Sequence, residues 1–101
     1  MAYVNIVGLH VTDQNSYTIY RANMTPILSQ YGGSFQFDFE IARDLIEPTR
    51  TINRLFAISF PDKASKEKFF ADPRYLEVRR GYFEPAVSAR YSLFKFTDSD
   101  D

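Results

Sequence analysis

With 101 residues, 12 basic against 13 acidic side chains and a formal net charge of -1, the chain has the size of one small domain and no electrostatic bias toward polyanions. Cysteine is absent, which excludes a disulfide framework, a thiolate nucleophile and a cysteine zinc site. Ten Phe and seven Tyr raise the aromatic fraction to 17% without any Trp, so the core must be built largely from flat rings, and such cores often leave pockets or continue into a partner. Met1-Ala2-Tyr3-Val4-Asn5 carries no basic region ahead of an apolar run, and no stretch approaches the roughly 18 apolar residues of a membrane span. The expectation is a soluble cytoplasmic protein with neither a membrane nor a nucleic-acid partner.

Val4 to Val11 is rich in branched apolar residues and predicts a first strand. Thr12-Asp13 offers a helix N-cap, and at 100° per residue Tyr17, Tyr20, Met24, Ile27, Leu28 and Tyr31 share one sector roughly 100° wide, the buried face of a helix. Pro26 falls on the opposite side with Ile19 and Gln30, where water can meet the backbone groups it leaves unbonded. Gly32-Gly33 is expected to end the helix through positive φ angles. From Ser34 to about Ala42, Phe35, Phe37, Phe39 and Ile41 alternate with Gln36, Asp38 and Glu40, a period of two that predicts a strand with one buried and one polar face.

Arg43 to Thr51, with Pro48, reads as a loop or hairpin tip, and Asn53 to Phe60 as a third strand. Pro61-Asp62 starts a short helix through Phe70. Asp72-Pro73 starts another, which Gly81 is expected to stop. Val87 to about Phe96 forms the last strand. The chain is thus expected to be one domain over 1–96 with a mobile acidic tail over 97–101.

This order predicts an α+β fold: a ferredoxin-like βαββαβ antiparallel sheet with helices on one face. Leu55 and Ala57 oppose Phe56, Ile58 and Phe60 across the third strand, and Tyr91 and Leu93 oppose Phe94 and Phe96 across the last. Both faces are apolar in mid-sheet, where a wet outer face would alternate with polar residues. A second cover is needed, and the simplest is another copy of the sheet packed about a two-fold axis. The polar exceptions on the second strand place it toward an edge or dimer rim, with its carboxylates facing arginines of a partner chain.

Val11-Thr12-Asp13, Tyr17, Tyr20, Pro26, Tyr31-Gly32-Gly33, Arg54, Phe60-Pro61, Asp72-Pro73, Tyr75 and Arg79 together resemble the small bacterial family of domains of unknown function numbered 1330, in the dimeric alpha-beta barrel superfamily. Gln14 stands where that pattern usually has proline, and Ser59 where glutamate commonly precedes Phe-Pro. The resemblance implies a homodimer, a dimeric α+β barrel in which two sheets close on each other, and it implies no settled activity. Relatives in the superfamily include cofactor-free monooxygenases, muconolactone isomerases and haem-binding enzymes, so fold does not choose a chemistry.

His10 is the one histidine and the side chain whose ordinary pKa lies near neutrality, which makes it the candidate general acid or base. A strand-end histidine bonded to backbone is its structural alternative. Arg54 and Arg79, on family-matching positions, are candidates to hold a carboxylate or enolate at two points, Arg54 also as a catalytic support for an anionic oxygen. Their alternative is an ion pair with Glu77, Glu84 or a partner's carboxylate. Tyr20 and Tyr31 are candidate ligand contacts from the helix stripe, against a purely structural role for their hydroxyls. One His with scattered carboxylates has no metal-ligand spacing, so no metal and no cofactor are expected.

Arg54-Leu55-Phe56-Ala57-Ile58-Ser59-Phe60 loosely resembles the ribonucleoprotein motif, but Leu55 replaces its glycine and Pro61 its last aromatic, so RNA is rejected as a partner. Two functional readings stand. One is a homodimer that binds a small-molecule ligand in a mainly apolar pocket between sheet and helices, and acts without cofactor on a small aromatic or carbonyl compound. The other is a non-catalytic dimeric binding or interaction module in which the ring excess fills the core.

Overall fold

In a computed structural model, which describes the backbone of residues 2–97 and side chains as far as residue 94, strands and helices follow the predicted order. β1 (Tyr3–Val11) leads into α1 (Gln14–Gln30), β2 (Ser34–Glu40) and β3 (Arg54–Phe60); α2 (Lys63–Ala71) and α3 (Pro73–Val78) then precede β4 (Val87–Thr97). The strands lie in the order β2-β3-β1-β4 with every pair antiparallel, and the helices cover one face, so the fold is ferredoxin-like α+β. Apart from Thr97, the acidic tail expected at 97–101 lies outside the described residues.

Three aspartates start the three helices, because each carboxylate accepts a backbone N–H that a first helical turn leaves unpaired. Asp13 accepts from Ser16, Asp62 from Ser65 and Asp72 from Arg74. The end of α1 divides labour between its two glycines. Gly32 alone takes a positive φ, 73°, while its N–H bonds Ser29 O and that of Gly33 bonds Leu28 O, a Schellman closure. Gly33 is needed for space: a Cβ there would run into the Leu28 side chain and come within 3.1 Å of the Phe60 ring.

Gly81 does not stop the last helix, contrary to expectation. The chain passes from α3 into a π-helical turn over Arg79–Phe83, and Glu84 N–H reaches Arg79 O at 3.0 Å, five residues back. Gly81 keeps a negative φ and has open space on its Cβ side, so nothing there breaks the helix. Ser16 on α1 donates to Tyr82 O at 2.8 Å and fixes this turn against the first helix.

Val7, Leu9, Val11, Phe56, Ile58 and Phe60 face the helices and are closed over by Tyr17, Tyr20, Met24, Leu28, Phe69 and Tyr75. The predicted stripe of α1 is buried as far as Leu28, and Tyr31 is half-buried. On the opposite face Phe39 is 55% exposed and Phe94 61%, and the molecule is only 17 Å along its shortest axis, the thickness of two layers.

The register of β2 corrects the simple alternation. Phe35 pairs with Ile58 but Phe37 with Ala57, so Gln36 is an extra residue in a β-bulge and the faces exchange there. Phe35 looks toward the helices, Phe37 and Phe39 look outward and stack at 5.2 Å, and Asp38 turns inward beneath α1. The strand does lie at the sheet edge, but its carboxylate at Asp38 meets arginines of its own chain rather than a partner's. Two further register shifts, near Ser88 and Leu93, re-aim β4 in the same way, bringing Arg90 opposite Leu9 on the helix face and Phe94 opposite Ile6 on the outer one.

Candidate ligand-binding site

Helical spacing puts Tyr17, Tyr20 and Met24 on one line along α1, facing Val7, Phe56 and Ile58 of the sheet. Between them lies a cavity of about 40 Å³, closed on the helix side by Tyr75 of α3 and by Arg79 and Phe83 of the π turn. Arg90 reaches it from β4 and is exposed, which marks the side where the cavity meets solvent. Rings make most of the wall: Tyr20 lies 4.9 Å from Phe83, 5.6 Å from Tyr17 and 6.3 Å from Tyr75, centroid to centroid. Met24, flexible and polarisable, is the wall residue best able to give way to a ligand.

The polar side chains at this cavity are the Arg79 and Arg90 guanidinium groups, which only donate, and tyrosine hydroxyls, which donate and accept. Tyr20 and Tyr75 hydroxyls lie 2.9 Å apart and share one hydrogen bond. Two hydroxyls bring two protons and their mutual bond uses one, so the pair keeps one donor in hand. Burial pushes Tyr20 well above its ordinary pKa, reinforced by the neighbouring Tyr75, so its hydroxyl stays neutral. Arg79 stands over the Phe83 ring at 5.2 Å, and among the described residues neither Arg79 nor Arg90 has a carboxylate partner within 4.0 Å. Among the described residues no carboxylate, histidine or lysine lines the cavity.

Behind the wall sits an ionic cluster that sequence reading missed. Arg54 holds Asp38 with two bonds of 2.8 Å, and Arg21 reaches the same carboxylate at 2.8 Å. Burial opposes ionisation of Asp38, but the two guanidinium groups outweigh it and hold its pKa below the usual carboxylate range. Arg21 lies 3.7 Å over the Phe35 ring and donates to the Tyr17 hydroxyl at 3.3 Å; Arg54 lies 4.9 Å over the Tyr17 ring. Burial raises the Tyr17 pKa despite these two cations. The Nε of Arg21 is buried with no hydrogen-bond partner among the described residues. Two guanidinium groups share this one carboxylate, with the exposed Glu40 also acting on Arg54, and the cluster backs the same rings that face the cavity.

The five residues singled out from sequence separate accordingly. Tyr20 and Arg79 line the cavity. Arg54 stands one layer behind it, its ion pair made with Asp38 rather than Glu77 or Glu84. Tyr31 donates its hydroxyl to Asp72 at 2.6 Å, tying the end of α1 to the cap of α3. His10 and Arg54 are not brought together: Arg54 pairs with Leu9 on the helix face, whereas His10 pairs with Ala89 on the other and bonds Ser88 Oγ at 2.7 Å. His10 borders a separate open depression of about 230 Å³ with Arg43, Asp44 and Arg50.

Tyr75 and Arg90 complete the cavity and were not foreseen as site residues. The cap-and-proline start at Asp72-Pro73 could have indicated Tyr75, since it fixes the phase of α3. Arg90 had no such signal, because the bulges of β4 decide which way it faces.

No helix among the described residues is long and apolar enough to cross a membrane, and no group of three or more His, Asp or Glu there is placed to hold a metal ion. No curated protein matches the chain. Among solved structures, it is similar to a protein of unknown function from Rhodopseudomonas palustris at 16% identity and a TM-score of 0.80, covering 94% of this chain and 80% of the other. It is also similar to the hydroxynitrile lyase of Passiflora edulis (15%, TM-score 0.67, 99% and 97% covered). A third likeness is to a dimeric ferredoxin-like protein of unknown function from Jannaschia sp. CCS1 (13%, TM-score 0.62, 96% and 99% covered). At such identities the likeness establishes the fold alone. A family model described as domain of unknown function DUF1330 matches residues 1–94, and the chain belongs to that family.

Proposed function

We propose that this chain is a homodimeric small-molecule-binding protein whose ligand, a small ring- or carbonyl-bearing compound, enters the cavity between α1, α3 and the sheet. The observation that carries this reading is the buried Tyr20–Tyr75 pair, which has a hydroxyl proton to spare beside an apolar cavity. A spare donor in a ring-lined pocket is suited to a carbonyl oxygen. Tyr20 and Arg79 serve as direct contacts, while Arg54, through Asp38 and Tyr17, and Tyr31, through Asp72, hold the wall in place.

Binding is favoured over proton-transfer catalysis. A base working near neutrality is required for the latter, and Tyr17 and Tyr20 are displaced away from it while His10 lies on the other face of the sheet. The Passiflora relative, by its name, is a lyase, so a chain of this fold is compatible with an active enzyme. The cavity described above supports recognition first. The interaction-module alternative draws on a different observation: Tyr17, Tyr20, Tyr31 and Tyr75 each have a protein partner for their hydroxyl.

The uncovered apolar sheet face supports the dimer, in line with the relative described as dimeric. Light scattering is expected to give twice the 11.8 kDa of one chain; a monomer at micromolar concentration defeats the dimer. Binding is tested by calorimetric titration with benzamide and benzoate. At least one is expected to bind, more weakly to Tyr20→Phe, and silence from both removes the cavity reading.

A further inference from the structure

We propose that the cavity selects an anion, a small carboxylate or enolate joined to a ring or other flat apolar body, and that Arg90 with Arg79 sets this preference. The inference rests on the binding reading above and adds the charge of the ligand.

Three observations lead there. First, Arg79 and Arg90 approach one cavity from two layers, the π turn and the sheet, without a carboxylate partner among the described residues, whereas Arg21, Arg50, Arg54 and Arg74 each hold an aspartate. An arginine has five N–H donors and no acceptor, so two of them at one opening ask for a group rich in acceptors. Second, the Tyr20–Tyr75 pair contributes another donor, and among the described residues the wall has no carboxylate and no amide side chain, which leaves tyrosine hydroxyl oxygens as its side-chain acceptors. A neutral amide would set its own N–H₂ against the two guanidinium groups, while a carboxylate presents only lone pairs to them. Third, Arg21 and Arg54 share the one carboxylate of Asp38 behind Phe35 and Tyr17, and the other carboxylate acting on Arg54, Glu40, is exposed and better screened, so the far side of the ring wall leans positive.

The geometry also orients the ligand. A volume of about 40 Å³ is well below the roughly 150 Å³ of a cavity that takes up benzene, so a whole ring enters only as Met24 and the exposed Arg90 shift. The anionic group lies between the Arg79 and Arg90 guanidinium groups, and the apolar body packs against the rings of the wall.

Benzoate and benzamide, nearly equal in shape, separate charge from fit. The wild-type dimer or monomer, as purified, is expected to bind benzoate at least tenfold more tightly than benzamide, with the gap narrowing as salt is raised. Arg90→Gln, at an exposed position where folding is not at stake, is expected to remove most of that gap through weaker benzoate binding. Arg79→Gln acts in the same direction, and Arg90→Lys retains part of the preference, since it keeps the charge but not the fork. Equal binding of the two probes, or a preference that survives Arg90→Gln, overturns the inference while leaving the cavity reading in place. Binding of neither probe removes the cavity reading and the inference with it.

Discussion

The sheet has two apolar faces that meet different fates. On one, Val7, Leu9, Phe56 and Phe60 are buried to 9% exposure or less beneath three helices; on the other, Phe39 and Phe94 remain more than half exposed. The two faces differ little in composition, so burial here is decided by which side the chain's limited number of helices can reach. A chain this short has helices enough to cover one side. The covered face carries stability and the cavity, and the uncovered face is the one on which the proposed dimer would form. The largest test substitutes a ring on each. Phe69→Ala, which removes a fully buried ring packed on Phe60, Phe70 and Tyr75, is expected to lower unfolding free energy by about 3–5 kcal/mol in urea titration. Phe94→Glu is expected to leave circular dichroism intact while converting the dimer to a monomer in light scattering. A dimer that withstands Phe94→Glu places the assembly surface elsewhere.

Packing is also uneven within the covered face: tight where α1 gives way to β2, loose around the cavity. Gly33→Ala forces a methyl against Leu28 and Phe60 and is expected to cost about 1–3 kcal/mol by the same titration. A smaller loss would mean that the helix end yields more readily than its Schellman closure suggests. Asp38→Asn probes the ionic cluster at the rim of this face. Deprived of their shared carboxylate, Arg21 and Arg54 are expected to destabilise the fold by about 1–2 kcal/mol, below the roughly 3–5 kcal/mol of a fully buried pair because Asp38 is 22% exposed. The pH dependence carries a sign. Asp38 has its pKa lowered in the fold, so the unfolded chain binds its proton first as pH falls. Its contribution is complete above the ordinary carboxylate pKa of about 3.9 and disappears as pH drops through the lowered value. Asp38→Asn should therefore flatten the acid limb of a stability profile and leave its neutral plateau lower but level.

Much of the covered face was legible in the residues and little of the site was. Tyr17, Tyr20, Met24, Ile27 and Leu28 follow the helical period without interruption, and Asp13, Asp62 and Asp72 each start a helix by a local bond, so α1 and the helix starts could be read from spacing alone. The bulges could not. Gln36 looks like any other polar member of an alternating strand, yet the extra residue there exchanges the faces of Asp38 and Phe39, and the shift near Ser88 does the same for Arg90. Period-two reasoning fails at such a point because one inserted residue inverts everything after it. The ionic cluster, with Asp38 beneath α1, and the cavity, with Arg90 at its mouth, both lie downstream of a bulge. His10 illustrates the reverse: its chemistry was plain, but only the register shows that it stands across the sheet from Arg54.

Gly81 gives the smallest effect and the finest distinction between tight and loose regions. It sits in the π turn that supplies Arg79 and Phe83 to the cavity, with a negative φ and nothing within 4 Å of a Cβ added there. Alanine fits without strain and restricts the unfolded chain, so Gly81→Ala is expected to stabilise the fold by about 0.4–1 kcal/mol. If the turn is a fixed part of the wall, benzoate affinity stays as in the wild type, because neither Arg79 nor Phe83 needs to move. If the turn must loosen to admit a ring into so small a cavity, the same substitution slows association in stopped-flow binding while leaving dissociation nearly unchanged. Faster unfolding or lost stability would show instead that the π turn strains residue 81 in a way that only glycine tolerates, and that the wall of the cavity is held open at a conformational cost.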